Sequence, residues 1–125
     1  KRKEKKDMIF SEELLNIDKA TGLSYCMDME DFYAEVLEAF CKQCEEYIPQ
    51  LEEQYEKGDW MQYAIIAHGL KSNSLNIGAV NFSKLSLKHE LAGKEGNSSF
   101  IISQYPDYMD ALKGLLAKAK NIISK

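Results

Sequence analysis

From Ser11 onward, apolar residues recur every three or four positions, and nowhere do they alternate with polar ones over the length of a strand. Ser11-Glu-Glu-Leu14 offers an N-cap followed by acids, so Leu14, Leu15 and Ile17 predict a short amphipathic helix ending near Gly22. Phe32, Val36, Phe40, Cys44, Tyr47, Leu51 and Tyr55 then mark one face of a long helix. It starts at Asp28 or Glu30 and runs to about Lys57, with Pro49 expected to kink or break it. Gly58-Asp59 is a stop followed by a start, a left-handed glycine and then an aspartate N-cap. A third helix follows from Trp60 to about Ile77, closed by Gly78. A fourth, from about Val80 to Ala92, carries Phe82, Leu85 and Leu91. After the turn-like stretch Gly93–Asn97, a last helix from about Ser99 to Ile123 shows Tyr105, Met109, Leu112, Leu116, Ala119 and Ile123 as its stripe, with Pro106 as a kink or restart. The pattern predicts an all-α, antiparallel four-helix bundle with a short additional N-terminal helix over residues 11–125.

The 125 residues suffice for one core and leave little room for both a nucleotide-binding fold and a substrate domain. No glycine pattern of a phosphate-binding loop is present, which argues against an autonomous kinase. No apolar run reaches the roughly 20 residues a membrane-spanning helix needs. Three cysteines, an odd count without a secretory signal, suggest a reducing compartment and a cytoplasmic protein. Cys41 and Cys44 form a C-x-x-C in mid-helix, where core packing suits them better than zinc or redox chemistry. The net charge of −4 is unevenly spread. Lys1–Lys6 is basic and aperiodic and, with no leading Met, reads as a linker or disordered lead over residues 1–10, cut from a longer chain. The stretch from Asp7 to Asp59 is strongly acidic, and the remainder is mildly basic. That balance argues against a nucleic-acid binder and leaves the second half suited to an acidic protein partner or a phosphate.

The third helix carries the chemistry. At ~100° per residue, Tyr63, Ile66, Ala67, Leu70, Ser74 and Ile77 share the core face, and His68 points roughly 150° away from its centre. Lys71 and Ser72 are its neighbours one turn on. Met61, Ala64, Ile65 and Leu75 leave apolar surface beside it where a solvated face would carry charge, as expected of a contact with a partner. Gly69, with Ser72 and Ala64, is expected to give the imidazole low walls that another molecule can approach. An accessible imidazole with an ammonium one turn away suits nucleophilic attack on a phosphoryl group, the neutral nitrogen attacking and Lys71 offsetting the phosphate charge. An ordinary exposed histidine is the competing reading. His89 has no lysine three residues on and falls in line with Phe82 and Leu85, so it reads as packing against the core or its rim.

His68-Gly-Leu-Lys-Ser, followed by Asn-Ile-Gly-Ala79, resembles the H-x-L-K-G…G motif of histidine phosphotransfer (HPt) domains, and the likeness extends from about Leu14 to Ile123. The resemblance implies that His68 accepts a phosphoryl group from the phospho-aspartate of a receiver domain and passes it to another receiver. It implies that Lys71 stabilises the phosphate and that Ser72, where the family usually has glycine, is the small residue allowing the receiver close. Glu90 falls where the family often places a polar residue facing the histidine, and would orient the imidazole. Lys94, one turn later, would contact the receiver. No cofactor is expected on this chain, since magnesium belongs to the receiver. Implied partners are response-regulator receivers and a sensor histidine kinase, within the same chain if this is a module of a hybrid kinase. Two alternatives stay open: the phosphoacceptor domain of a chemotaxis-type kinase, and a helical adaptor that binds receivers without accepting phosphate.

Overall fold

The computed structural model describes residues 12–124. Five helices follow in order: α1 (Lys19–Tyr25), α2 (Glu30–Lys57), α3 (Trp60–Asn76), α4 (Val80–Lys94) and α5 (Ser98–Ile123). Among the described residues there is no strand. The four long helices pack in a ring, α2 against α3 and α5, α4 against α3 and α5, with α3–α4 the most extensive pairing. Short turns between consecutive helices make them antiparallel, as the loop lengths require. Tyr63, Tyr108, Phe40, Phe82, Leu51, Leu70 and Leu112 fill the centre with no exposed surface or almost none.

The predicted helix ends form for the predicted reasons. Gly58 adopts φ 68°, and its N–H and that of Asp59 close on the Tyr55 and Gln54 carbonyls at 3.1 and 3.0 Å. The Asp59 carboxylate then caps α3 by accepting from the Gln62 N–H at 3.2 Å. All six residues assigned to the core stripe of α3 are buried.

Elsewhere tertiary contacts override the local pattern. The leading helix is not continuous: a helical turn at residues 12–14 ends at Leu15, and α1 restarts at Lys19 and runs through Gly22. The Asp18 N–H is given to the Gly78 carbonyl, 2.9 Å away, so it cannot serve a local helical ladder. At the start of α2 the inward face is Tyr33 and Leu37 rather than Phe32 and Val36, and Phe32 is 38% exposed. The Tyr33 hydroxyl donates to the Ile77 carbonyl at 2.8 Å, which turns this end of the helix inward at position 33. In α4 the inward positions are largely polar or small (Ser83, Ser86, His89, Glu90, Ala92, Gly93), while Leu91 is exposed. Ile123 is also exposed, and α2 and α5 continue through Pro49 and Pro106. The basic lead expected over residues 1–10 lies outside the described residues.

Cys41 and Cys44 are buried, unbonded and part of the core, and burial pushes the Cys44 thiol up to about 12, far from reactive thiolate. Among the described residues no helix is long and apolar enough to cross a membrane.

Candidate functional site

The α3–α4 pairing brings His68, Lys71, Glu90 and Lys94 together. Their spacing explains this: His68 and Lys71 are one turn apart on α3, and Glu90 and Lys94 one turn apart on the antiparallel neighbour. Glu90 is only 3% exposed, yet it meets three cationic or proton-donating groups. His68 Nδ1 lies 3.0 Å from its Oε2, Lys94 Nζ lies 2.9 Å from the same oxygen, and Lys71 Nζ lies 2.9 Å from Oε1. Burial alone would raise the Glu90 carboxyl, but its contacts with Lys94, Lys71 and His68 outweigh that and hold it at about 2. It is therefore ionised at any physiological pH and can only accept hydrogen bonds.

The state of His68 follows. A carboxylate at Nδ1 requires the proton there, so in the neutral ring Nε2 carries the free lone pair. The His68 side chain is 59% exposed. Beside it lies a shallow cavity of about 230 Å³ lined by Met61, Ala64, Ile65, His68, Glu90 and Lys94. Met61 and Ile65 are exposed large apolar side chains, Ser72 is exposed one turn past His68, and Leu75 is half-buried two turns past it. Basic Lys84 and Lys88 are also exposed on α4.

Two expectations require correction. Ala64 is not part of an exposed patch. It is 1% exposed and lies under α4, where a Cβ on Gly93 would meet the Ala64 Cβ at 2.8 Å and the Trp60 carbonyl at 2.6 Å. Its methyl contributes only to the wall of the cavity. Gly69 does not lower a wall beside His68 either. A Cβ there would meet the Tyr47 hydroxyl at 2.7 Å, so this glycine makes room for a side chain of α2.

Sequence reasoning missed the residues that lock the frame. The Ser83 hydroxyl donates to the Lys71 carbonyl at 2.8 Å, tying α4 to α3 at the lysine itself, and Ser74 back-bonds to the Leu70 carbonyl at 2.6 Å. A serine in a helix carries no signal of such a tie. Gly93, read from sequence as the start of a turn, lies inside α4, which runs to Lys94, and its missing side chain makes room for Ala64 and the Trp60 carbonyl.

His89 is fully buried, and no docking partner can reach it. Its Nδ1 lies 2.8 Å from the Tyr63 hydroxyl, and its ring stacks on Tyr108 at 3.9 Å between centroids. Burial lowers its pKa to about 4. The unfolded chain therefore takes up a proton at His89 near pH 6.5 that the folded chain refuses until about pH 4. Stability should fall as pH drops through that window, by up to about 1.4 kcal/mol per pH unit. Urea titrations between pH 7.5 and 4.5 check this. A His89→Phe variant should show a flatter profile, and an equally steep one would remove His89 as the cause.

The family model described as Hpt domain matches residues 35–121. Among solved structures, the chain is similar to histidine-containing phosphotransfer protein B (HptB) from Pseudomonas aeruginosa PAO1, at 23% identity and a TM-score of 0.71, covering 86% of this chain and 90% of that one. No curated protein matches the chain significantly.

Proposed function

The chain belongs to the Hpt domain family, whose work is histidine phosphotransfer in two-component phosphorelays, and from that premise we propose that His68 is the phosphoacceptor. The observation that carries this reading is the Glu90 carboxylate 3.0 Å from Nδ1 of an exposed imidazole, which leaves Nε2 as an outward nucleophile. The buried His89 offers no such atom. In the forward step Nε2 attacks the phosphorus of a receiver's acyl phosphate, the N–P bond forms, and the aspartate oxygen leaves with the electron pair. The reverse sequence hands the group to a second receiver.

Lys71 is the cation best placed to follow the phosphoryl charge. Its backbone is fixed by Ser83, and its ammonium can swing from Glu90 Oε1 to a phosphoryl oxygen. Exposed Ser72 lets the receiver approach, while Met61, Ile65 and Leu75, with the wall formed by Ala64, supply apolar contact area. Lys94, Lys84 and Lys88 present positive charge to the acidic active site of a receiver. Magnesium would serve on the receiver. The domain contributes a rigid nucleophile held for in-line attack, which is mainly a positional effect. A sensor kinase completes the pathway, and cytoplasmic placement follows from that partnership.

The test is to mix the domain with a receiver phosphorylated at its aspartate. Acid-labile, base-stable label should move to the domain, with ³¹P and ¹⁵N signals of histidine phosphorylated at Nε2. Label at Nδ1, or none with a panel of receivers and kinases, would overturn the reading and favour an adaptor that only binds receivers.

A further inference from the structure

Glu90 touches His68 with a full negative charge, where a neutral amide would orient the ring equally well. This charge has a consequence for the phosphorylated state. When neutral imidazole attacks through Nε2, the product is first a phospho-imidazolium, with the original proton still on Nδ1. Free in water, such a ring loses that proton near neutral pH and becomes a poorer source of phosphoryl groups. Here the proton faces an ionised carboxylate at 3.0 Å.

Resting on the assignment of His68 as phosphoacceptor, we propose that Glu90 is a positioning residue that keeps Nδ1 protonated throughout the phosphorylated state and so keeps the domain a ready donor. The transfer step then needs no proton to enter or leave. A receiver carboxylate oxygen bonds to phosphorus, the Nε2–P bond breaks with its electron pair returning to Nε2, and Nδ1 retains its hydrogen. Acceptance and donation use the same proton inventory, which suits a carrier that must work in both directions.

The charges around the site set how far this holds. On α4, Glu90 favours the extra positive charge and Lys94 opposes it. On α3, Lys71 opposes it while paired with Glu90 and less so once it follows the phosphoryl oxygens. From α2 the Tyr47 phenol lies beside Gly69, the residue next to His68. From α5 the Tyr108 hydroxyl faces α4 and donates to Ser86 at 2.8 Å. Glu90 is the acid among these groups and the one in direct contact with the ring. Its carboxylate is buried, while the ring it meets is 59% exposed.

The test compares wild type with Glu90→Gln, each phosphorylated directly with phosphoramidate so that no receiver is needed. Nδ1 of phosphorylated His68, read by ¹⁵N–¹H correlation, should titrate at least one pH unit higher in wild type. At pH 8 the variant's phosphohistidine should hydrolyse about tenfold more slowly, and the two should converge near pH 5. Glu90→Asp should recover part of the wild-type profile, which a purely structural role does not explain if thermal stability is matched. Identical Nδ1 titrations in wild type and Glu90→Gln would overturn the proposal while leaving His68 as the acceptor. Absence of phosphohistidine at position 68 in wild type would overturn the underlying assignment as well.

Discussion

Replacing His68 by glutamine is expected to abolish phosphoryl acceptance, with label from a phosphorylated receiver falling to background. The amide is close in size and can still meet Glu90, but it has no lone-pair nitrogen of comparable nucleophilicity. His89 cannot substitute, because it is fully buried and its Nδ1 is engaged with Tyr63. The fold should barely notice the change. The His68 side chain is 59% exposed, and exposed substitutions usually stay within about 0.5 kcal/mol. Retained helicity and melting temperature, with receiver binding intact, would show that the lost step is chemistry rather than docking. Residual label on His68→Gln at more than a few per cent of wild type would remove the residue from the mechanism.

That outcome also bears on what can be seen in the bare sequence. The face of α3 was legible because its inward residues are apolar and regularly spaced, so the outward direction of His68 followed from geometry alone. The neighbourhood of Glu90 was legible only through the family likeness, since nothing in the periodicity of α4 marks position 90 as inward. The core side of that helix is built from serines, a histidine, a glutamate and small residues, which hydropathy assigns to water. Their burial makes sense only once Tyr108 is seen bonded to Ser86, Tyr63 paired with His89, and the two lysines set on Glu90.

The roles of Ala64 and Gly69 were hidden for a related reason. A helical wheel ranks residues by angle from one core, but α3 has two flanking neighbours. Small residues on its flanks are claimed by Tyr47 on one side and Gly93 on the other. The break before α1 belongs to the same class. Asp18 gives its N–H to a carbonyl sixty residues away in sequence, so no local signal could place that interruption.

The same crossing point yields the largest expected loss of stability. Gly78, read from sequence as a helix stop and as the last glycine of the family motif, sits at φ 90° in the turn between α3 and α4. A Cβ at this position would overlap the Asp18 carbonyl oxygen and approach the Gly22 N–H at 3.1 Å. Its own carbonyl is the acceptor that holds Asp18 at 2.9 Å. Gly78→Ala therefore combines left-handed backbone strain, about 1–2 kcal/mol, with overpacking against rigid backbone, about 1–3 kcal/mol. A total near 3 kcal/mol should appear in urea unfolding as a lower midpoint with little change in slope. The two causes can be separated with Gly78→Asn, since asparagine tolerates positive φ but carries the same Cβ. If the Asp18 contact dominates, the Asn and Ala variants should lose similar stability. Substantial recovery in the Asn variant would assign the effect to the dihedral. Neither variant should alter the His68–Glu90 contact directly, because Gly78 lies nearly three helical turns from the histidine, at the far end of α3. Phosphoryl acceptance per folded molecule should therefore stay near wild type while the folded population falls.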